Sequence, residues 1–270
     1  KTGSFKARGA LNKILHLSEQ QKANGIIAVS LGNHAQAVAW AARILGGGAT
    51  IFMPTSASPT KIAATKGYGA NIILNGFSPV ETFAEFENFQ RQKKMTLIHP
   101  FNDFYVIAGA GTIAFEIFEQ VNNIDNILVP VGGGGLLAGM AIAAKSISPK
   151  TKIIGIEPSG ANSVFQSWKN NKICHLDSVC TIADVLALPS TGELNLAAIN
   201  EFVDDIICLN DDEIKTAIRF LFERCKLVVE PGGAIGLAAL LSGKFQTSSS
   251  AKNVIILSGG NVDLRFLSTL

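Results

Sequence analysis

Lys6 lies in the run Lys1-Thr2-Gly3-Ser4-Phe5-Lys6-Ala7-Arg8-Gly9-Ala10, a setting that suits an amine held in a site rather than one moving freely in water. Four distant segments add residues of compatible chemistry, each at a strand-to-helix turn. Gly132-Gly133-Gly134-Gly135-Leu136 follows an apolar strand and precedes a helix. Without side chains, successive N–H groups there can converge on an anion, and the helix N-terminus adds favourable potential. A flexible tight turn would use the same glycines. Gly133-x-Gly135-x-x-Ala138 also satisfies the dinucleotide fingerprint, with Glu157 ending the next strand where a ribose-binding acid would stand. Taken alone, this loop leaves a nicotinamide cofactor and a smaller phosphate ligand both open.

In Ser30-Leu31-Gly32-Asn33-His34, short polar side chains meet exposed N–H groups at a helix start, a suitable place for a carboxylate. Plain helix capping accounts for the same residues. Ser258-Gly259-Gly260-Asn261 follows the last apolar strand; its hydroxyl can donate to or accept from a ring nitrogen, and its glycines permit close approach. Glu230-Pro231-Gly232-Gly233-Ala234 is the fourth turn. An acid there is costly to bury unpaired, so a solvent-exposed Glu230 is the simple alternative.

The elements that must carry these turns alternate along the chain. Strand-length apolar runs are expected at 25–29, 49–54, 70–74, 96–99, 127–131, 152–157, 205–209 and 253–257. Helices are expected at 34–45, through Ala63 and Lys66, and at 80–94, 111–121, 136–146, 212–225 and 234–241. Apolar strands separated by helices give an α/β fold of mostly parallel sheets covered by helices on both faces. Ligands gather beyond the carboxyl ends of such strands, which is where the turns above fall. A small lobe is expected over 25–102, and a larger lobe over 1–24 and 103–270.

Composition narrows the partners. Hydrophobic residues make up 47% of the 270 and charged residues 16%, ample for a core. Lys and Arg total 23 against 21 Asp and Glu, so charge predicts no nucleic-acid or anionic-lipid partner. Cys174, Cys180, Cys208 and Cys225 form no Cys-x-x-Cys pair and read as free thiols of a cytoplasmic protein. The uncharged stretch from Asn126 to Ala144 is broken by Pro130 and four glycines, which argues for strand, loop and helix rather than a membrane span.

Together and in this order, the segments resemble the fold-type II pyridoxal-phosphate enzymes of the threonine/serine dehydratase and serine racemase family. The matching residues are Ser4-Phe5-Lys6-x-Arg8-Gly9-Ala10, Ser30-x-Gly32-Asn33-His34, His99-Pro100-Phe101, Gly109-x-Gly111-Thr112, Pro130-Val131-Gly132 through Leu136, Glu157-Pro158, Glu230-Pro231 and Ser258 through Asn261. The resemblance spans the chain, whereas the dinucleotide reading explains one segment. It implies a two-lobed architecture and pyridoxal 5'-phosphate as cofactor. Lys6 is then the Schiff-base lysine and the base for the Cα proton, a double task that needs an amine of depressed pKa. Phe5 packs on the ring, Asn33 contacts its phenolic oxygen, and Gly132, Gly133, Gly134, Gly135 and Leu136 cradle the phosphate. Ser258 bonds the pyridine nitrogen, and Glu230 joins the cofactor-binding set. Ser30, Asn33 and His34 hold the substrate carboxylate. The implied reaction is β-elimination of L-threonine or L-serine to 2-oxobutanoate or pyruvate plus ammonia, in a homodimer.

Three departures bear on this. Serine racemase carries a second serine at the position of Leu31, and leucine has no exchangeable proton, which disfavours racemisation. The cation site of relatives uses an acid, a carbonyl and a second carboxylate; Glu157 and the Ala161 carbonyl are present, but Ser163 replaces the carboxylate, so any divalent or monovalent cation is expected to bind weakly. Val185 stands where relatives have glycine, which puts the local loop geometry in question. Relatives also place a substantial segment before the lysine. A truncated, inactive family member is therefore the third alternative, beside a racemase and a nicotinamide oxidoreductase.

Overall fold

The computed structural model describes every residue except Leu31, Phe77, Ser78 and Thr269. It divides into two compact units, Lys1–Gly109 and Ala110–Leu270. The first comprises α1 (Lys6–Leu15), α2 (Glu19–Ala23), β1 (Ile26–Val29), α3 (Asn33–Ile44), β2 (Ala49–Met53), α4 (Pro59–Gly67), β3 (Asn71–Leu74), α5 (Pro79–Lys93) and β4 (Thr96–Leu97), and ends within α6 (Phe104–Gln120). Its parallel sheet has the order β3-β2-β1-β4. Alternation along β1 sends Ile26 and Ala28 to one face, where they join Ala10 and Ile14 of α1 and the alanines and Val38 of α3. Ile27 faces the other way, with Phe52 of β2 and Phe86 of α5. α1 buries its apolar stripe in the core that α3 builds.

The second unit contains β5 (Asn126–Pro130), α7 (Gly135–Ile147), β6 (Lys152–Pro158), α8 (Ser163–Asn170), α9 (Glu193–Phe202), β7 (Asp205–Leu209), α10 (Asp211–Phe220), α11 (Pro231–Leu241), β8 (Asn253–Ile255) and α12 (Leu264–Leu267). Its sheet is also wholly parallel, in the order β7-β6-β5-β8. Leu128 and Ile154 pack with Ile214 and Ile218 of α10 and Ile235 of α11. Neighbouring Ile127 and Ile153 are also fully buried, so the two central strands β5 and β6 are apolar on both sides, as a sheet covered on both faces requires. The stretch from Asn126 to Ala144 resolves into β5, the glycine loop and most of α7. No helix among the described residues is long and apolar enough to cross a membrane.

Candidate active site

In the first unit Lys6 is the first residue of α1, and His34 and His99 lie close enough to feel its charge. Its amine end is buried, and burial lowers its pKa from the usual 10.5 to about 8. Lys6 Nζ donates to the Pro100 carbonyl oxygen at 2.6 Å and lies 5.2 Å from the centre of the Phe5 ring. α1 tolerates Gly9 in its interior because the backbone of Val106 passes there; a Cβ would stand 2.7 Å from the Val106 carbonyl oxygen.

Ser30 follows β1, and its Oγ accepts from the Gly32 N–H at 3.2 Å, leaving the hydroxyl proton available. Asn33 and His34 open α3, and both are buried. His34 Nε2 lies 2.7 Å from the Ile98 carbonyl oxygen. A carbonyl only accepts, so the ring proton sits on Nε2, and Nδ1 is a buried acceptor with no hydrogen-bond partner. Burial, with the Lys6 charge nearby, lowers the His34 pKa to about 3. The imidazole therefore has no N–H left for a carboxylate; what His34 can offer one is its backbone N–H in the first turn of α3. Leu31 lies outside the described residues.

In the second unit the glycine loop is shaped by two residues that the sequence did not flag. Thr191 Oγ1 and Asn195 Nδ2 donate to the Gly133 carbonyl oxygen at 3.0 and 2.6 Å. A trans peptide points its C=O and N–H in opposite directions, so the Gly134 N–H is turned away from these two side chains. Gly134 takes φ 89°, the left-handed region, at the N-cap of α7. A Cβ on it would meet Ile199, Thr191 and Asn195 at 3.0 to 3.3 Å. The orphan N–H groups of the first helical turn, from Gly135 and Leu136 onward, add further donors. A Thr-Gly pair before a helix is a weak signal, and nothing in the sequence says that Asn195 reaches back to Gly133.

Ser258 and Glu230 are both buried, so Glu230 is not the solvent-exposed acid of the simpler expectation. Their loops are neighbours: the Glu230 N–H donates to the Gly259 carbonyl oxygen at 3.1 Å. A Cβ on Gly233 would stand 2.5 Å from that same oxygen.

Val185 lies in a 3-10 turn, Asp184–Leu186, and is not among the non-glycine residues with positive φ. The backbone there does not demand glycine. Room for its side chain is made by Gly232, where a Cβ would come within 2.5 Å of Val185 Cγ2.

Glu157 is fully buried at the end of β6. Its Oε1 accepts from the Val164 N–H at 2.9 Å and its Oε2 from the Phe165 N–H at 2.8 Å. These are first-turn donors of α8, so Glu157 caps that helix from a distance. Burial outweighs the two bonds and raises its pKa to about 8. Ala161 is buried beside it in a 3-10 turn, and Ser163 Oγ donates to the Leu188 carbonyl oxygen at 3.1 Å. Among the described residues no group of three or more His, Cys, Asp or Glu could hold a metal ion. The residues at Glu157 fit a capped helix rather than a cation site. Nor is Glu157 exposed to receive a ribose.

In the first unit an amine of lowered pKa suits an aldehyde; in the second, a left-handed glycine at a helix start suits a phosphate and a buried hydroxyl after a strand suits a ring nitrogen. The model of the family described as "Pyridoxal-phosphate dependent enzyme" matches residues 1–259, and the chain belongs to that family. Its fold is the fold-type II arrangement, and pyridoxal 5'-phosphate is its cofactor; the nicotinamide reading is set aside by this assignment.

Particular relatives can be named. The chain is 42% identical over 270 residues to the L-threonine ammonia-lyase of Thermotoga maritima, covering all of this chain and 67% of that protein. It is 45% identical over 269 residues to a catabolic L-threonine dehydratase of Staphylococcus aureus, covering 99% of this chain and 78% of that one. The structure of maize serine racemase matches with a TM-score of 0.94 and 44% identity, over all of this chain and 83% of the other.

Proposed function

We propose that the protein is an ammonia-lyase that converts L-threonine, and with it L-serine, to the corresponding 2-oxo acid and ammonia. The observation that carries this reading is the buried Lys6 amine with its pKa lowered to about 8, in a chain similar over its whole length to threonine ammonia-lyases. Bound pyridoxal phosphate supplies the electron sink for charge that develops at Cα. The neutral Lys6 amine takes the Cα proton, the Cβ–O bond breaks, and the hydroxyl leaves as water once protonated. The enamine released adds water and loses ammonia, so that threonine yields 2-oxobutanoate and ammonia in net balance. Backbone N–H groups at Gly134, Gly135 and Leu136 hold the phosphate. Ser30, Asn33 and the first turn of α3 hold the substrate carboxylate, Phe5 lies against the cofactor ring, and Ser258 and Glu230 complete the ring's surroundings.

Racemisation needs a proton donor on the opposite face of Cα, and Leu31 carries none. Free thiols at Cys174, Cys180, Cys208 and Cys225 suit a reducing cytoplasm. The exposed Phe104, Phe115, Phe222 and Leu264 suit a second copy as partner. The test is direct: protein supplied with pyridoxal phosphate is incubated with L-threonine and with L-serine, and the 2-oxo acid is measured. Bound cofactor without 2-oxo acid from either substrate would sink the proposal.

A further inference from the structure

The residues that surround the Lys6 amine include one to which no role has been given. His99 follows β4, whose parallel pairing with β1 continues through the Ile98 N–H, which donates to the Ile27 carbonyl oxygen at 2.9 Å. The chain then turns through Pro100, Phe101 and Asn102 before α6. His99 Nδ1 is the centre of that turn. It accepts from the Asn102 N–H at 2.8 Å and from the Phe101 N–H at 3.2 Å. An imidazole nitrogen that accepts two N–H groups carries a lone pair and no proton, so His99 is the neutral Nε2–H tautomer. Its ring also meets Phe101 edge-on, with centroids 4.7 Å apart.

The residue enclosed by these bonds is Pro100, whose carbonyl oxygen accepts from Lys6 Nζ at 2.6 Å. A second fastening holds the same helix to the same turn. Lys13, two helical turns after Lys6, pairs with Asp103 at 2.7 Å, and Asp103 Oδ1 caps α6 through the Tyr105 and Val106 N–H groups. α1 is thus tied to the turn at both ends, and the orientation of one tie depends on His99.

We propose that His99 is a positioning residue for Lys6: by gathering the Phe101 and Asn102 N–H groups on Nδ1, it aims the Pro100 carbonyl at the lysine amine. A neutral amine that donates one N–H to a fixed carbonyl has its lone pair directed elsewhere, available for a proton, whenever it is not covalently engaged. The inference rests on the reading of Lys6 given above.

The geometry supplies its own control. Asn Oδ1 sits at the same distance along the side chain as His Nδ1 and accepts the same two N–H groups in an Asx-type turn. In the holoenzyme, His99→Ala should lower kcat by about 10- to 100-fold, the scale of an ångström-sized misplacement, with KM changed less than about threefold. His99→Asn should return kcat to within about threefold of wild type, by the same reasoning. If the alanine variant does not fold, His99→Phe, which keeps a planar ring but offers no acceptor, takes its place in the comparison. An equal loss in both, an unchanged kcat in both, or a change confined to KM overturns the proposal.

A readout independent of turnover is the ¹⁵N spectrum of histidine-labelled holoenzyme. Only His16, His34, His99 and His175 contribute, and the signal missing in His99→Asn identifies the residue. It should report Nε2–H and an unprotonated Nδ1 near neutral pH; a proton on Nδ1 overturns the proposal. Lys6→Ala separates the two levels of inference. Turnover retained by that variant would sink the Lys6 reading itself, whereas loss in Lys6→Ala beside indifference at position 99 refutes only the role of His99.

Discussion

Asn195 reaches from α9 to donate through Nδ2 to the Gly133 carbonyl oxygen at 2.6 Å, and so decides which way the glycine loop faces. With Thr191 on the same oxygen, it holds the carbonyl on one side and leaves the Gly134 N–H on the other. Asn195→Ala leaves that buried carbonyl with one donor instead of two. The cost expected is about 0.5–1.5 kcal/mol of stability, the net contribution of one hydrogen bond where a second donor remains. If the loop binds phosphate as proposed, pyridoxal phosphate affinity falls with it, by about tenfold per 1.4 kcal/mol lost from the cradle. Cofactor titration followed by absorbance checks this. Unchanged affinity in a folded Asn195→Ala variant would show that the loop's orientation does not depend on this bond.

The Lys6 amine should set a pH limb. With its pKa lowered to about 8, it is largely protonated below that pH and cannot accept a proton from Cα. kcat should therefore fall as pH drops through about 8, and Lys6→Arg, which keeps the charge but offers no neutral amine, should abolish turnover. His34 and His99 face the same amine but stay neutral in this range, because burial and the Lys6 charge lower them to about 3 and about 4. The stability of the cofactor-free chain should follow the same group. Between about 8 and 10.5 the unfolded chain binds more protons at this lysine than the folded one, so stability rises with pH across that window. Chemical denaturation at several pH values, compared with Lys6→Met, isolates the contribution; identical slopes for both proteins would refute it.

The parallel α/β framework was legible because runs such as Ile26–Val29 and 127–130 are continuously apolar and are punctuated by glycine or proline. Other elements gave weaker signals. α1 contains Gly9, which reads as a helix breaker until the close approach of Val106 explains it. α6 begins at Phe104, seven residues earlier than its apolar run suggests, because Asp103 caps it. α8 is capped by Glu157, several residues upstream on a strand, an arrangement with no local signature. The same limit applies to the site. The turn that carries each candidate residue could be read from glycine and serine patterns. The partners that orient it, Asn195 for Gly133 and Pro100 for Lys6, are set by tertiary packing and lie 62 and 94 residues away in sequence.

Glu157 makes a prediction about metals. Because both its oxygens accept α8 N–H groups, a chelator should leave the thermal midpoint and the rate unchanged, and added Mg²⁺ or Ca²⁺ should not raise the midpoint. Replacing the acid should instead act through the helix. Above about pH 8, where the acid is ionised, Glu157→Gln sets an NH₂ donor against one of the two N–H groups and is expected to cost about 1–3 kcal/mol, as does any buried donor left without an acceptor. A cation-dependent rise in midpoint comparable to that loss would mean that the carboxylate binds metal in solution.

Val185 and Gly232 offer the sharpest test of packing, because the fit is reciprocal. A Cβ at position 232 would stand 2.5 Å from Val185 Cγ2 and 3.0 Å from Leu186 Cγ, closer than carbon atoms tolerate. Gly232→Ala should therefore destabilise by about 1–3 kcal/mol through overpacking, although Ala is the better helix former at that position. Val185→Ala alone removes a partly buried methyl pair and should cost less, about 1 kcal/mol. Combining the two relieves the contact with Val185, so the double variant should be more stable than the sum of the singles by about 0.5–2 kcal/mol. Denaturant titration of all four proteins gives the coupling directly. Additive effects would mean that the valine is accommodated by some adjustment other than the glycine opposite it, and that the loop before Leu186 is set independently of α11.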